Sequence, residues 1–361
     1  MIVKEKTSSL KATGLEALLR RLPKSHPRYA DIENELRITR AGDNGERILA
    51  DVFQKYQFPF EHYILHDLNL QSTGKFQIDT LFLCQQGAVI LEMKNIAGQI
   101  NFREEYNQLT RTLENGQVDA FECPSVQLER NKMLLEDWFH AHQLSIPIHH
   151  AAVFPRPQQQ FVNHRKDLQL LFPFTIPIFL RRLHSFHSNP NSLPLEEIAN
   201  MLHSAHREYD PFPLISKYGI QQAELITGVY CVHCGIHGMT SIYNGWGCQQ
   251  CGHVDEKAHV QAIVDYFMLI GYRFTNKECR QFLRLDCRQK AKRLLMQMEI
   301  PSEGENKGRV YIADIKTIRK LHESIRSKVT KRPYIAGNNR YNQGNNQYPL
   351  PIDRYNSGND R

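Results

Sequence analysis

The 361-residue chain has no long apolar run. Its strongest stretches, such as Ala88 to Leu91, end at charged residues and fall far short of the roughly 18 residues a membrane-spanning helix needs. The opening MIVKEKTSSLKA has neither an apolar core nor a small-residue cleavage site, so no secretory leader is expected. A disulfide framework is also missing. Of the eight cysteines, four fall in two C-x-x-C pairs and the others (Cys84, Cys123, Cys279, Cys287) are scattered, as in a reducing compartment with a metal site. Long internal repeats are absent. With 41% hydrophobic and 23% charged residues, the chain can bury a sizeable core, which excludes wholesale disorder. The expectation is a soluble, cytoplasmic protein of about two domains at roughly 150 residues each.

The net charge of +7 is unevenly spread. Residues 1–155 carry a net −3 and residues 156–271 a net −1, whereas residues 272–335 carry +10. A concentrated positive field gains counterion-release free energy on a polyphosphate, which makes nucleic acid the leading partner of that segment. The competing reading is a solvated helical face.

Apolar spacing predicts helices over Leu15 to Leu22 and Ile32 to Arg40, an interruption at Ala41-Gly42-Asp43-Asn44-Gly45, and an amphipathic helix over 45–57. Tyr63 to Leu68, Gln77 to Cys84 and Ala88 to Lys94 read as strands, the last two joined by a turn at Gln85-Gln86-Gly87. Gln99 to Arg103 adds a further candidate strand. A helix after Pro124 and a strand at Ile148 to Phe154 complete an α/β pattern around one sheet. The proline-interrupted stretch 156–225 reads as a helical connector, and a helix is expected over about Glu256 to Ile270. The Asn-, Gln- and Gly-rich tail 332–361 is expected to be disordered.

The sharpest chemical signal is Gln77-Ile78-Asp79 followed by Leu91-Glu92-Met93-Lys94. Alternate strand residues share a face, so Glu92 and Lys94 project together while Met93 points into the opposite layer. If the hairpin pairs the strands, Asp79 approaches Glu92. Two carboxylates and a lysine suit a Mg²⁺ or Mn²⁺ ion and phosphodiester hydrolysis, and Glu46 on the amphipathic helix offers a third acid. The pattern alone also fits polar residues on a solvent-facing strand. Against that, the run from Gly87 to Leu91 is apolar on both faces, and charge ending a buried strand is costly.

Arg40-Ala41-Gly42-x-x-Gly45-Glu46, Gln77-Ile78-Asp79 and Leu91-Glu92-Met93-Lys94-Asn95, with Gly98 shortly after, together resemble the nuclease-related domain (NERD) family, grouped with the PD-(D/E)XK restriction-endonuclease-like fold. The resemblance covers roughly residues 40–155. It implies a mixed sheet flanked by helices, a divalent metal and nuclease chemistry on DNA. Asp79 and Glu92 would be metal ligands, Lys94 the catalytic lysine and Glu46 the helix-borne acid. Pro124 and Gln127 resemble the family's proline and glutamine on the helix after the core strands, where the glutamine touches a metal-bound water or a phosphate. Ile78 stands where the superfamily's name has a proline, which contributes no ligand.

Cys231-Val232-His233-Cys234 and Cys248-Gln249-Gln250-Cys251 lie 13 residues apart, the spacing of a zinc ribbon with a closed, structural Zn²⁺. Tyr243 and Trp246 are expected to pack over the metal, and His233, His237 and His253 to lie on the surface. Thr275-Asn276-Lys277-Glu278 reads as a capping box opening one helix. Asp286 is the expected cap of a second, Cys287 to Met298, whose exposed Arg288, Gln289, Lys290, Lys292 and Arg293 suggest a helix-turn-helix on DNA. Gly308 to Ile312, with Arg309, offers a wing strand. A small helical hairpin with a basic solvent-facing side is the competing reading.

The predicted organisation is an N-terminal helical segment (1–39), a nuclease-related domain (40–155), the connector (156–225), a zinc ribbon (226–256) and a basic helix-turn-helix-like or winged-helix module (257–331) before the tail. The predicted function is that of a Mg²⁺-dependent deoxyribonuclease without membrane or small-molecule partners. Its rivals are an inactive nuclease fold that binds DNA and a scaffold for a protein partner. Oligomeric state is not legible.

Overall fold

Strand β1 (Ile2–Lys4) leads into helix α1 (Leu10–Arg21), which begins where Ser9 Oγ accepts the Ala12 N–H at 3.2 Å. This computed structural model describes residues 1–163, 165–186 and 193–329, so the 332–361 tail lies outside the described residues. Helix α2 (Tyr29–Lys55) runs 27 residues without the interruption expected at 41–45. Gly45 serves close approach rather than helix termination. A Cβ there would lie 2.8 Å from Asn95 Cβ and 2.9 Å from Met93 Cγ, and a helix tolerates one glycine at about 1 kcal/mol. The same helix belongs to two cores. Ile32 and Leu36 pack with C-terminal residues, whereas Leu49, Val52 and Phe53 cover the main sheet.

That sheet is built from β2 (His62–Gln71), β3 (Lys75–Cys84) and β4 (Gly87–Met93). The two-residue turn at Gln85-Gln86 sets an antiparallel register with Cys84 opposite Gly87. Gly87 is required: its φ is +128°, and a Cβ would meet Pro147 O at 2.2 Å. Next come β5 (Gln99–Arg103), β6 (Gln108–Thr112) and β7 (Val118–Glu122), which form a separate antiparallel sheet rather than extending the main one. Helix α3 (Pro124–Ala141) and β8 (Ile148–Val153) follow, β8 lying parallel to β4. The stretch read as connector supplies an edge strand, β9 (Leu170–Leu171), and helices α4 (Ile176–Phe186), α5 (Leu195–Ala205) and α6 (Leu214–Tyr218). The main sheet has the order β1-β2-β3-β4-β8-β9, with β1, β8 and β9 parallel to their neighbours and β2, β3 and β4 antiparallel. Helices α3 and α5 pack on one face, α2 and α4 on the other. This is the mixed sheet flanked by helices of a nuclease-like α/β fold.

Beyond α6, β10 (Val229–Tyr230), β11 (His237–Ile242), β12 (Gly245–Gly247) and β13 (Val254–Asp255) make a small antiparallel sheet. Helix α7 (Ala258–Leu269) is buried over nearly its whole circumference. It is followed by β14 (Arg273–Thr275), α8 (Asn276–Leu283), α9 (Arg288–Gln297), the hairpin of β15 (Ser302–Glu303) and β16 (Val310–Ile312), and α10 (Ile315–Val329). Strand β16 pairs with both β14 and β15. The N-terminal helices do not stand apart from this body, because Leu15, Leu18 and Leu22 of the α1 region share one core with Val264, Phe267 and Phe282. No helix of the described residues is long and apolar enough to cross a membrane.

A buried ion cluster fastens α1 to α7. Arg21 Nε donates to Asp265 Oδ2 at 2.7 Å and Arg20 Nη2 to Asp265 Oδ1 at 2.7 Å, with Arg21 and Asp265 both at 0% exposure. Desolvation alone would raise the Asp265 pKa, but Arg20 and Arg21 outweigh it and hold the carboxyl below its usual range. Removing one partner strands a buried charge. Asp265→Ala should therefore cost about 3–5 kcal/mol in chemical denaturation; a loss below about 1 kcal/mol would contradict this role.

Candidate active site

All seven residues of β4 are buried, so its sequence is apolar up to the point where a charge is answered by partners. Glu92 Oε1 accepts from Lys94 Nζ at 2.8 Å and from Gln127 Nε2 at 2.5 Å, while Lys94 Nζ also donates to Gln127 Oε1 at 2.5 Å. The Lys94 backbone N–H continues the pairing with β8 by donating to Val153 O at 2.8 Å, which aims the lysine along the strand. Gln127 lies in the first turn of α3, opened by Pro124 at a position where a missing N–H costs nothing. One turn later the buried Asn131 donates to Gln77 O at 2.8 Å and ties α3 to β3. Asn131 was missed in the sequence; its signal is the i, i+4 spacing from Gln127.

Asp79 reaches the same end of the sheet through a local departure from strand alternation. Tyr63 and Leu65, then Leu68 and Leu70, enter one core, as do Phe76 and Ile78, then Leu81 and Leu83. Both strands thus change face by one residue at Asp67 and at Asp79–Thr80, and Asp67 sits in the left-handed region at φ +50°. Asp79 Oδ2 accepts the Met93 N–H at 2.8 Å. Glu46 comes from α2 and is held by Lys6, whose Nζ lies 2.7 Å from Glu46 Oε2, 3.3 Å from Asp43 and 4.0 Å from Asp67. Lys6 and Asp67 escaped sequence reasoning because nothing local links residue 6 to residue 46.

These acids raise one another. Desolvation and then the Glu92 charge lift the Asp79 pKa above the carboxylate range, and burial lifts Glu92 against the opposing pull of Lys94 and Gln127. Glu46 is pushed up to about 7 by desolvation and then by Asp79, with Lys6 opposing. Glu92 Oε2 is buried and has no hydrogen-bond partner among the described residues. An anionic oxygen left in that state is the donor a hard cation uses, so the residues fit a divalent ion. Glu46, Asp79 and Glu92 do not form a trio with ligand atoms all within 4.8 Å; among the described residues only the four cysteines do.

Residues 41–155 match the nuclease-related domain family. This segment is similar to nuclease-related domains. It contains Glu46, Asp79, Glu92, Lys94 and Gln127. No curated protein matches the chain, and no solved structure matches it.

In the C-terminal body Cys231 Sγ lies 3.7 Å from Cys251 Sγ and Cys234 Sγ 3.5 Å from Cys248 Sγ. Those spacings approach the roughly 3.8 Å sulfur separation of a tetrahedron with about 2.3 Å zinc–sulfur bonds, so the cluster is compatible with a zinc ribbon. One of the two aromatics, Tyr243, departs from expectation. Trp246 turns to α7, where its Nε1 donates to His259 Nδ1 at 3.1 Å, and Tyr243 is 99% exposed. His237 is no surface residue, since its Nε2 lies 2.9 Å from Arg20 O.

The capping box forms as predicted: Thr275 Oγ1 accepts the Glu278 N–H at 3.3 Å and Glu278 Oε2 accepts the Thr275 N–H at 2.7 Å. Asp286 does not cap α9; Arg284 closes α8 in the left-handed region and Cys287 takes the N-cap position. Arg288, Gln289, Lys292 and Arg293 are exposed, whereas Arg309 is half-buried. Lys290, expected in solvent, is half-buried and donates to Ile242 O at 2.7 Å.

The raised Glu46 pKa fixes a pH dependence. The folded state holds this proton more tightly than the unfolded chain, so its stabilising contribution is complete below about pH 4.5 and is lost as pH rises through about 7. In thermal melts of magnesium-free protein between pH 5 and 8, Glu46→Gln should flatten the decline seen in the wild type. Parallel melting curves would contradict the assignment.

Proposed function

We propose that the protein is a metal-dependent nuclease that hydrolyses DNA phosphodiester bonds, with Asp79 and Glu92 holding Mg²⁺ or Mn²⁺. The observation that carries this reading is the buried Glu92 carboxylate, one oxygen bonded to Lys94 and Gln127 and the other without a partner. A divalent ion bound there would polarise a phosphoryl oxygen and acidify a water. Lys94, bonded to Glu92 and Gln127, offers its remaining N–H to the attacking water or a phosphate oxygen. Gln127 grips both Lys94 and Glu92, which fixes their relative orientation. Glu46, poised near neutrality, accepts a proton at its carboxylate when Lys6 releases it.

In the same reading the four thiols hold a structural Zn²⁺, a closed shell that leaves no catalytic position. The β14-α8-α9-β15-β16 order with the preceding α7 corresponds to a winged helix whose second short helix, α9, faces DNA. Its exposed Arg288, Gln289, Lys292 and Arg293 supply the positive charge, with Arg309 beside the wing.

Lys94→Ala and Glu92→Ala should each lower magnesium-dependent cleavage of supercoiled and linear DNA by at least about a hundredfold, the scale of one lost electrostatic or acid–base group. Unchanged cleavage would refute the site, and wild-type protein that binds DNA without cutting under any metal condition would favour the inactive-fold reading. For the thiols, purified protein should carry one zinc per chain, released by a thiol-modifying reagent and strongly reduced in Cys251→Ser. Zinc-free native protein with unchanged stability would contradict the ribbon.

A further inference from the structure

Tyr243 is the most conspicuous surface residue that the nuclease chemistry leaves unused. It occupies the two-residue turn Tyr243-Asn244 between β11 and β12, where Ile242 pairs with Gly245, and it is 99% exposed. A tyrosine in that position leaves both ring faces in water at a cost in apolar hydration. The turn is not loosely placed. Lys290 Nζ on α9 is bonded to Ile242 O at 2.7 Å, and the buried Trp246 anchors the other strand to His259 of α7. The hairpin tip and α9 therefore form one surface, enclosing a groove of about 640 Å³ lined by Tyr243, Trp246, Lys290, Arg293, Leu294 and Gln297, among others. Glu256 also lines the groove, so the attraction for phosphate comes from the α9 side. On that side Arg293 is exposed and Lys290 half-buried, within the segment that carries a net +10.

We propose that this groove binds a nucleic-acid strand through an unpaired base, the base stacking on Tyr243 and the adjoining phosphates meeting Lys290 and Arg293. A fully exposed ring on an anchored hairpin, beside cations that line the same groove, is the combination that single strands use, because every base has a π-face and every linkage a charge. A blunt duplex keeps its bases stacked inside and offers the ring nothing but backbone. The inference goes beyond cleavage: it assigns a partner conformation to a surface remote in sequence from the nuclease residues and holds for a turning-over or an inactive site.

The test is fluorescence anisotropy of zinc-loaded full-length protein, without magnesium, on a labelled single-stranded 20-mer, a duplex with a single-stranded overhang and a blunt duplex. Tyr243→Ala should weaken binding to the first two by about tenfold, the scale of one lost base–aromatic stack, and change blunt-duplex binding by less than about twofold. Tyr243→Phe should retain wild-type affinity, and Arg293→Ala should weaken all three substrates and reduce the salt dependence. Tyr243→Ala binding single strands like the wild type would overturn the proposal, as would equal losses on all three substrates or a Tyr243→Phe variant as weak as Tyr243→Ala. Binding is read without magnesium and cleavage plays no part in it, which separates failure of this surface from failure of the cleavage reading.

Discussion

A carboxylate at the end of a wholly buried strand, with only half of its bonding capacity met, is the constraint around which the rest of the nuclease-related domain is arranged. Glu92 has 3% exposure, and a charge taken out of water to that depth is tolerable only with close, oriented partners. Lys94 and Gln127 provide them on one oxygen. Their placement requires α3 to begin at Pro124 and to be tied to β3 through Asn131. It also requires β4 to run on beside β8 as far as Lys94. The elements around the site are fixed by the demands of this one group.

A second constraint acts at longer range. Helix α2 carries Glu46 between two cores, so the position of that acid depends on the C-terminal body as well as on the sheet. The body is in turn locked to the N-terminal helices by Asp265 between Arg20 and Arg21. At roughly 1.5 Å per residue, a continuous helix is a stiff strut of about 40 Å. Joining the two cores with it keeps the zinc-ribbon-like sheet and the basic helices in a defined relation to the carboxylates.

Much of this was legible in the sequence where chemistry and periodicity coincide. The apolar run into Glu92-Met93-Lys94 announces a buried strand ending in charge, Gln85-Gln86-Gly87 marks its hairpin, and two C-x-x-C pairs announce converging thiols. What escaped has a common physical origin. Strands β6 and β7 are short, β6 burying the adjacent Leu109 and Thr110 and β7 largely exposed, so they lack the alternation that marks a half-buried strand. Gly45 reads as a breaker because sequence does not reveal that Met93 and Asn95 press against it. The Arg21–Asp265 contact spans 244 residues and Lys6–Glu46 spans 40, distances over which no local pattern speaks. Tyr243 was expected over the metal because an aromatic in a hairpin is as readily inward as outward, and only the register decides.

The claim on which the account turns is that Glu92 and Asp79 share a hard divalent cation. It is tested most directly by titrating zinc-loaded protein with Mn²⁺ and following free manganese by electron paramagnetic resonance. The account predicts one manganese site per nuclease-related domain in the wild type, lost in Glu92→Gln and in Asp79→Asn while the zinc content stays constant. Equal manganese binding by all three proteins, or none by the wild type, would contradict it.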